Sequence, residues 1–570
     1  MKAKSSWAKW QIALFCIFLT WFLAINLFLA WQESQTIDEA AHITAGYSYI
    51  TTRDFRLNPE HPPLLKELSA APLVALNTKD VRSLAAWDNG GEWKAGTEFV
   101  YHSKSSPRSI IFTARLAPIL VAMAVGVLIF ILATFLANRS YGLVALGLYY
   151  LDPNIIAHSH LVTTDIASAL GFLLVFGALF LYIQKPSLKL LGVVGLTLGI
   201  ALGLKYSTLL TLPFVFALVG FSVFYFEKSK SFWPNIFSFI KKLLFIGLIA
   251  ILFIFAIYGF EVVRPGDSAA LSGGLASESS IFRHLQNIYI PLYSYLRGLG
   301  QVLIHSQSSG VDRPVYLLGN YSTGYWYYFF DAYFIKTPLV IILAVFGGAI
   351  IGINRLIKLI KTRARLTKKT LYILTLCSFV LVYLAASTVT RINIGWRHIL
   401  PVYPVLFILV AVATYSLSLR FKNKSKVYLL TVIILLGGTA ISLIGQLPYL
   451  MSYSNELLPV VNKSNNWPRL TDSNLDWGQD VYRLINYAKD NPAKQFEYQL
   501  FTNAEIGRLN TPINLAQNNN FDTKKCKATV PVVLAVSYQI IYNDFGSDTY
   551  NCLRGKKPDS VIGSSILIFN

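Results

Sequence analysis

Charge is what this sequence has least of. Asp, Glu, Lys and Arg make up 14% of its 570 residues, against about a quarter in a soluble domain, and the mean hydropathy is +0.49. A chain with so little charge and 54% apolar residues is neither disordered nor collagenous, and it carries too little polar surface for an ordinary soluble fold. Cysteine is scarce as well; four residues exclude a disulfide-dense scaffold. The CxxC, HExxH and GxxxxGK[ST] patterns are missing, so zinc-peptidase and P-loop chemistry have no support. A short internal repeat is missing too.

What the chain does have is apolar runs of about 20 residues, each long enough to cross a hydrocarbon core about 30 Å thick, recurring from Gln11 to Pro448. This reads as an α-helical polytopic membrane protein. The formal charge of +21 raises the question of nucleic acid, and the placement of the bases answers it. Alternate loops (1–10, 138–141, 185–190, 227–242, 355–370 and 420–426) hold 21 of the 50 Lys and Arg but one acid, Glu227, and so carry +20 of the +21. That is the positive-inside pattern of a membrane protein, and no nucleic-acid partner is implied.

The alternation predicts about eleven spans, centred near Phe18, Val125, Leu148, Leu174, Leu198, Phe216, Leu252, Ala344, Val380, Leu409 and Leu435. It places the N-terminus in the cytoplasm, and it reads the first segment as an uncleaved span. A membrane domain over 1–447 then bears two polar outer loops, 32–108 and about 261–335, and an extracytoplasmic domain follows over 448–570. In that domain a helical pattern from Trp477 to Ala488 precedes the β-rich runs ATVPVVLAVSYQIIY and SVIGSSILIF, which predict a small α/β fold. Cys16 and Cys377 fall inside spans. Cys526 and Cys552 share the outer domain, either as a disulfide or as two free thiols.

Candidate chemistry gathers in the outer loops. Thr36 and Glu39 have capping-box spacing, whereas Asp38 is not needed for that cap and sits just past the first span, with His42 one turn on. Asn58-Pro59-Glu60-His61-Pro62-Pro63 and Lys66 follow; Glu60 and His61 are the candidate ligands should a divalent cation such as zinc or manganese bind. Asp165 opens the fourth apolar run, with Asp152, His158 and His160 as polar neighbours. A carboxylate favouring a helix N-terminus is the bland alternative for both aspartates, and two of them on one side of the membrane are harder to dismiss. Lys205 stands at an outer turn between two spans, and Arg391, Arg397 and His398 lie in a later outer loop. These outer bases run against the positive-inside trend and suit an anionic headgroup; snorkelling or pairing with acids is the alternative. A Tyr/Trp cluster at 325–328, before Lys336, reads as an interfacial belt.

Taken together these segments resemble the GT-C superfamily of polyprenyl-phosphate-sugar-dependent glycosyltransferases, in particular the family 39 or protein O-mannosyltransferase-like members. The likeness rests on Ile37-Asp38-Glu39, on NPEHPPLLK from Asn58, and on DPNIIAHSHLVTTD from Asp152. It continues in YWYYFFDAYFIKTP, NIGWRHILPVYP and DSNLDWGQD from Asp472. It implies a GT-C fold, and transfer of a sugar from a polyprenyl-phosphate donor to a protein, glycan or lipid acceptor outside the cell membrane. It maps the acidic site onto Asp38, Glu39 and Asp165, with Asp38 as general base. Lipid A aminoarabinose transferases carry Lys after the Glu, where this chain has His61, so a lysine contact to phosphate at that point is not implied.

The residue types suit that chemistry. A departing polyprenyl phosphate needs cations, and Lys205, Arg391 and Arg397 are the candidates, with Glu60, His61, Lys66 and His398 as further substrate contacts. An acceptor hydroxyl needs one base, in an inverting displacement. The competing reading is a transporter or flippase of lipid-linked sugars, which would place ionisable groups near mid-membrane and not at span ends.

Overall fold

The computed structural model describes residues 7–226, 232–267, 287–312, 314–461, 467–518, 521–522, 526–528, 532–542 and 549–570. The chain opens with α1 (Lys9–Gln32), 24 residues and about 36 Å long at 1.5 Å per residue. Three short helices follow in the first loop: α2 (Glu39–Thr52), α3 (Leu64–Ala70) and α4 (Glu92–His102). Here α2 lies so close to α3 that a Cβ on Gly46 would come within 2.1 Å of the Lys66 carbonyl oxygen, so glycine is what permits the approach.

Next comes α5 (Pro107–Leu136). Proline occupies its first turn, and Ser106 Oγ accepts the Ser109 N–H, a serine cap followed by proline that fixes where the helix starts. Asn138 caps α6 (Arg139–Leu151) in the same way. Asp152 then accepts the Asn154 and Ile155 N–H groups at the start of α7 (Pro153–Ser159). The helix α8 (Thr164–Gln184) is apolar all round and the most enclosed of the long helices, as expected of one at the bundle centre. It is followed by α9 (Leu188–Leu204).

Among the described residues, eight helices are long and apolar enough to cross a bilayer, and Leu188–Leu204 and Val402–Ser418 are shorter apolar helices. Each of the eleven expected centres falls within a helix, the one at Leu148 within the 13-residue α6. The protein is a multi-pass membrane protein. The C-terminal end of α1, the N-terminal ends of α5 and α8 and the C-terminal end of α9 lie at one end of the bundle, where the polar loops gather.

The expected α/β domain is present but starts differently. Its sheet has five strands in the order Ser560–Ile562, Ile566–Phe569, Val533–Ser537, Phe496–Gln499, Leu515–Gln517. The first two pairings are antiparallel and the last two parallel. The expected helix over Trp477–Ala488 begins later and covers Val481–Asp490, because Gly478 at φ +94° is not helical. YQIIY, expected as strand, is the short helix Tyr538–Tyr542. Residues 448–461 and 467–480 are not part of the sheet; they run as a strap against the membrane helices. Cys526 and Cys552 are joined in a disulfide.

Candidate active site

Two carboxylates from distant parts of the chain meet at one guanidinium. Arg397 Nη1 lies 3.2 Å from Asp38 Oδ2 and 3.3 Å from Asp165 Oδ2, and the Lys205 ammonium pairs with the other oxygen of Asp165. The result is a chain of alternating sign: Asp38, Arg397, Asp165, Lys205. Asp165 is 1% exposed, whereas Asp38 is 19% and Lys205 14% exposed, so the two ends of this chain are the groups a substrate reaches. Helix starts place both acids, Asp38 immediately before α2 and Asp165 in the first turn of α8, where the helix dipole favours negative charge.

Burial pushes the Asp38 carboxyl above its usual range; Arg397 opposes this, and the charge on Asp165 adds to it. The same charges act on the surrounding imidazoles. His42, His61 and His398 are held far below the usual histidine value by burial and by neighbouring cations, and His158 is brought down to about 3, chiefly by burial. All four are neutral at physiological pH. Buried nitrogens on His42, His158 and His398 have no hydrogen-bond partner among the described residues, leaving polar atoms free beside the acids.

The loop bearing Arg397 is held by the strap. Gly395 has φ +149°, and a Cβ there would sit 2.0 Å from Ser473 Oγ, so no other residue fits. Ser473 Oγ donates to the Ile394 carbonyl at 2.7 Å, and Asn474 Oδ1 accepts the Trp396 N–H at 2.8 Å. Trp477 places its ring 4.1 Å from the guanidinium carbon of Arg397, a cation–π contact that leaves the fork free for the carboxylates. Lys336, fully buried, donates to the carbonyls of Met451 and Asn474 at 2.7 and 2.8 Å and ties the strap down; burial brings its ammonium down to about 7.

Other expected site residues lie elsewhere. Glu39, expected among the catalytic acids, is fully buried with both oxygens occupied. It takes two bonds from Arg115, at 2.9 and 2.6 Å, and also the Thr36 and Val162 N–H groups. Arg115 spends its remaining donors on the carbonyls of Ala30, Glu33 and Ser34. This pair fastens the end of α1 to α5 and so aims Asp38; Glu39 itself touches no free space. Glu39→Ala leaves Arg115 buried and unpaired, and is expected to destabilise the fold by about 3–5 kcal/mol, read as a lowered thermal midpoint in detergent.

Lys66, expected at a phosphate, is buried too. Its ammonium donates to Asn58 O, Asn58 Oδ1 and Tyr49 OH, and burial lowers its pKa to about 7. Glu60 accepts from Asn58 Nδ2 at 2.7 Å. The His61 ring lies 4.8 Å from that of His42, and its Nδ1 is 3.4 Å from Thr164 Oγ1. The described residues bring no three His, Cys, Asp or Glu side chains together as metal ligands, and the Glu60–His61 pair has no third donor. Arg391 is exposed and makes no ion pair among the described residues. Its backbone N–H donates to the Ser306 carbonyl. His398 adjoins Arg397, with its Nε2 unpartnered. Arg115 and Trp477 were not singled out from the sequence. An arginine inside an apolar run was a signal for the first; for the second there was none.

Residues 109–258, which include Asp165 and Lys205, match the family model described as dolichyl-phosphate-mannose-protein mannosyltransferase. The match spans α5 to the helix Phe232–Ile257 and leaves out Asp38 and Arg397. No curated protein matches the sequence. Among solved structures, the chain is similar to ArnT from Cupriavidus metallidurans, bound to undecaprenyl phosphate, at 13% identity and TM-score 0.41 over 97% of each chain. It is similar to the S. cerevisiae protein O-mannosyltransferase Pmt1-Pmt2 complex, bound to the sugar donor, at 17% identity and TM-score 0.34, over 45% of this chain and 34% of that one. The apo oligosaccharyltransferase of Archaeoglobus fulgidus is similar at 10% identity and TM-score 0.49, over 93% and 70%.

Proposed function

We propose that this protein transfers a sugar from a polyprenyl-phosphate donor to an acceptor at the extracytoplasmic face of the cell membrane, with inversion. The observation that carries the reading is the chain Asp38–Arg397–Asp165–Lys205, which sets an accessible carboxylate at one end and an accessible ammonium at the other. In this reaction the acceptor oxygen attacks the sugar C1 while Asp38 takes its proton. The bond from C1 to the phosphate oxygen breaks, and polyprenyl phosphate leaves as an anion. Cations held in place before the charge develops need no reorganisation as it appears, and Lys205 and Arg397 fill that role. Asp165 holds both cations and is too enclosed to act as the base. The excess of bases in the alternate loops supports the outward orientation, and the family match supports the donor class.

Two readouts test this. Purified protein in proteoliposomes is given a panel of radiolabelled polyprenyl-phosphate sugars, with cell-envelope extract as acceptor. Label passing to protein, glycan or lipid in the extract is expected; label that only crosses the bilayer, with no transfer from any donor, would mark a flippase instead. Lys205→Ala is expected to weaken binding of a polyprenyl-phosphate analogue about tenfold, since a hydrogen bond to a charged group contributes roughly 1.5–3 kcal/mol. Unchanged affinity would confine Lys205 to holding Asp165.

A further inference from the structure

A second polar cavity lies on the same end of the molecule, where the start of α5 meets the helix Val481–Asp490. It is open to solvent on one side and has a volume of about 280 Å³. Arg108, Lys489 and Arg508 line it together with Tyr482, Asn486 and Asn510, and no acid is in its wall. Glu505, 3.9 Å from Arg508, is its nearest paired counter-charge, and that carboxylate also bonds His102 at 2.8 Å. Of the three cations, only Arg508 has an acid partner among the described residues, and that acid is partly engaged elsewhere. Arg108 is held in place by rings, with its guanidinium carbon 5.2 Å from the Trp31 ring and 4.3 Å from that of Tyr482. Lys489 and Arg508 are exposed.

Its position says which anion it meets. Trp31 is the second-last residue of α1 and Arg108 the second residue of α5, so the arginine stands where two long apolar helices leave the hydrocarbon. Trp31 is also 44% exposed, the placement of an interfacial tryptophan. Lysines and arginines at that level meet lipid phosphates. The amides of Asn486 and Asn510 add neutral donors suited to headgroup hydroxyls, and the positive end of the α5 dipole adds to the field. We propose that this cavity binds the phosphate of an anionic lipid headgroup. It is separated from Asp38 by the Glu39–Arg115 pair and is independent of the transfer reaction.

The test uses the full chain and Lys489→Gln/Arg508→Gln, both exposed positions whose replacement leaves the core intact. Each protein is incubated in mixed micelles with phosphatidylglycerol or phosphatidylcholine, and bound lipid is counted by native mass spectrometry. At least fivefold fewer phosphatidylglycerol adducts on the double variant are expected, with phosphatidylcholine unchanged and no displacement by excess glycerol phosphate or inorganic phosphate. Equal phosphatidylglycerol adducts on both proteins would overturn the proposal. Displacement by either soluble phosphate, lost in the variant, would overturn the lipid source and reassign the pocket to a soluble phosphorylated ligand.

Discussion

Asp38→Asn is expected to fold as the wild type does, to bind a polyprenyl-phosphate analogue, and to lose about a thousandfold or more in turnover, the range for removal of a positioned general base. Asparagine keeps the shape and one oxygen for Arg397 but cannot take the acceptor's proton. The wild-type rate should also fall on acidification. A base works only when ionised, and burial raises the Asp38 carboxyl above the ordinary aspartate value, so the acid limb should lie at higher pH than for an exposed aspartate. The variant should show no such limb. Single-turnover kinetics across a pH series measure both, and turnover in Asp38→Asn within tenfold of wild type would remove Asp38 from the chemistry.

The second large effect is at Arg397. Its Nη1 meets both Asp38 and Asp165. Arg397→Gln leaves the half-buried Asp38 and the buried Asp165 facing each other across a neutral amide, with only Lys205 to offset Asp165. Removing one partner of a buried charge cluster costs about 3–5 kcal/mol, so a lower thermal midpoint is expected together with a loss of transfer of at least a hundredfold. The removed cation also lets the Asp38 pKa rise further, which moves the acid limb of any residual activity upward. Arg397→Lys separates charge from geometry: an ammonium keeps the charge and lacks the planar fork. It should recover most of the stability and little of the turnover. Full activity in Arg397→Lys would show that the bridge itself is unimportant.

Much of this arrangement was legible beforehand, for definite reasons. The bilayer sets a minimum length for an apolar helix, so each expected span centre landed in a helix even where α6 proved only 13 residues long. Asp38, Asp165 and Lys205 were legible because each interrupts or borders an apolar run, where an ionisable group is costly unless used. Arg391 and Arg397 share one loop and looked alike; only the turn at Gly395 and the strap separate the exposed one from the buried one. Glu39 was legible as a capping residue, as the Thr36 N–H bond shows, but nothing near it in sequence announced Arg115 as its partner. Lys66 was read as a substrate contact because it follows the polar Asn58–Pro63 element of an outer loop; its burial by α2 and Asn58 is a tertiary matter. Trp477 reads as the start of an amphipathic helix, and only the folded strap turns it onto Arg397.

That strap has a consequence for how the protein is made. Helices enter a membrane in the order of their synthesis, and Asp38, Asp165, Lys205 and Arg397 are all in place before Ser473, Asn474 and Trp477 leave the ribosome. Until those last residues fold back, the loop of Arg397 lacks the bonds from Ser473 and Asn474 and the ring of Trp477. A nascent chain is thus a bundle whose polar centre is fastened last.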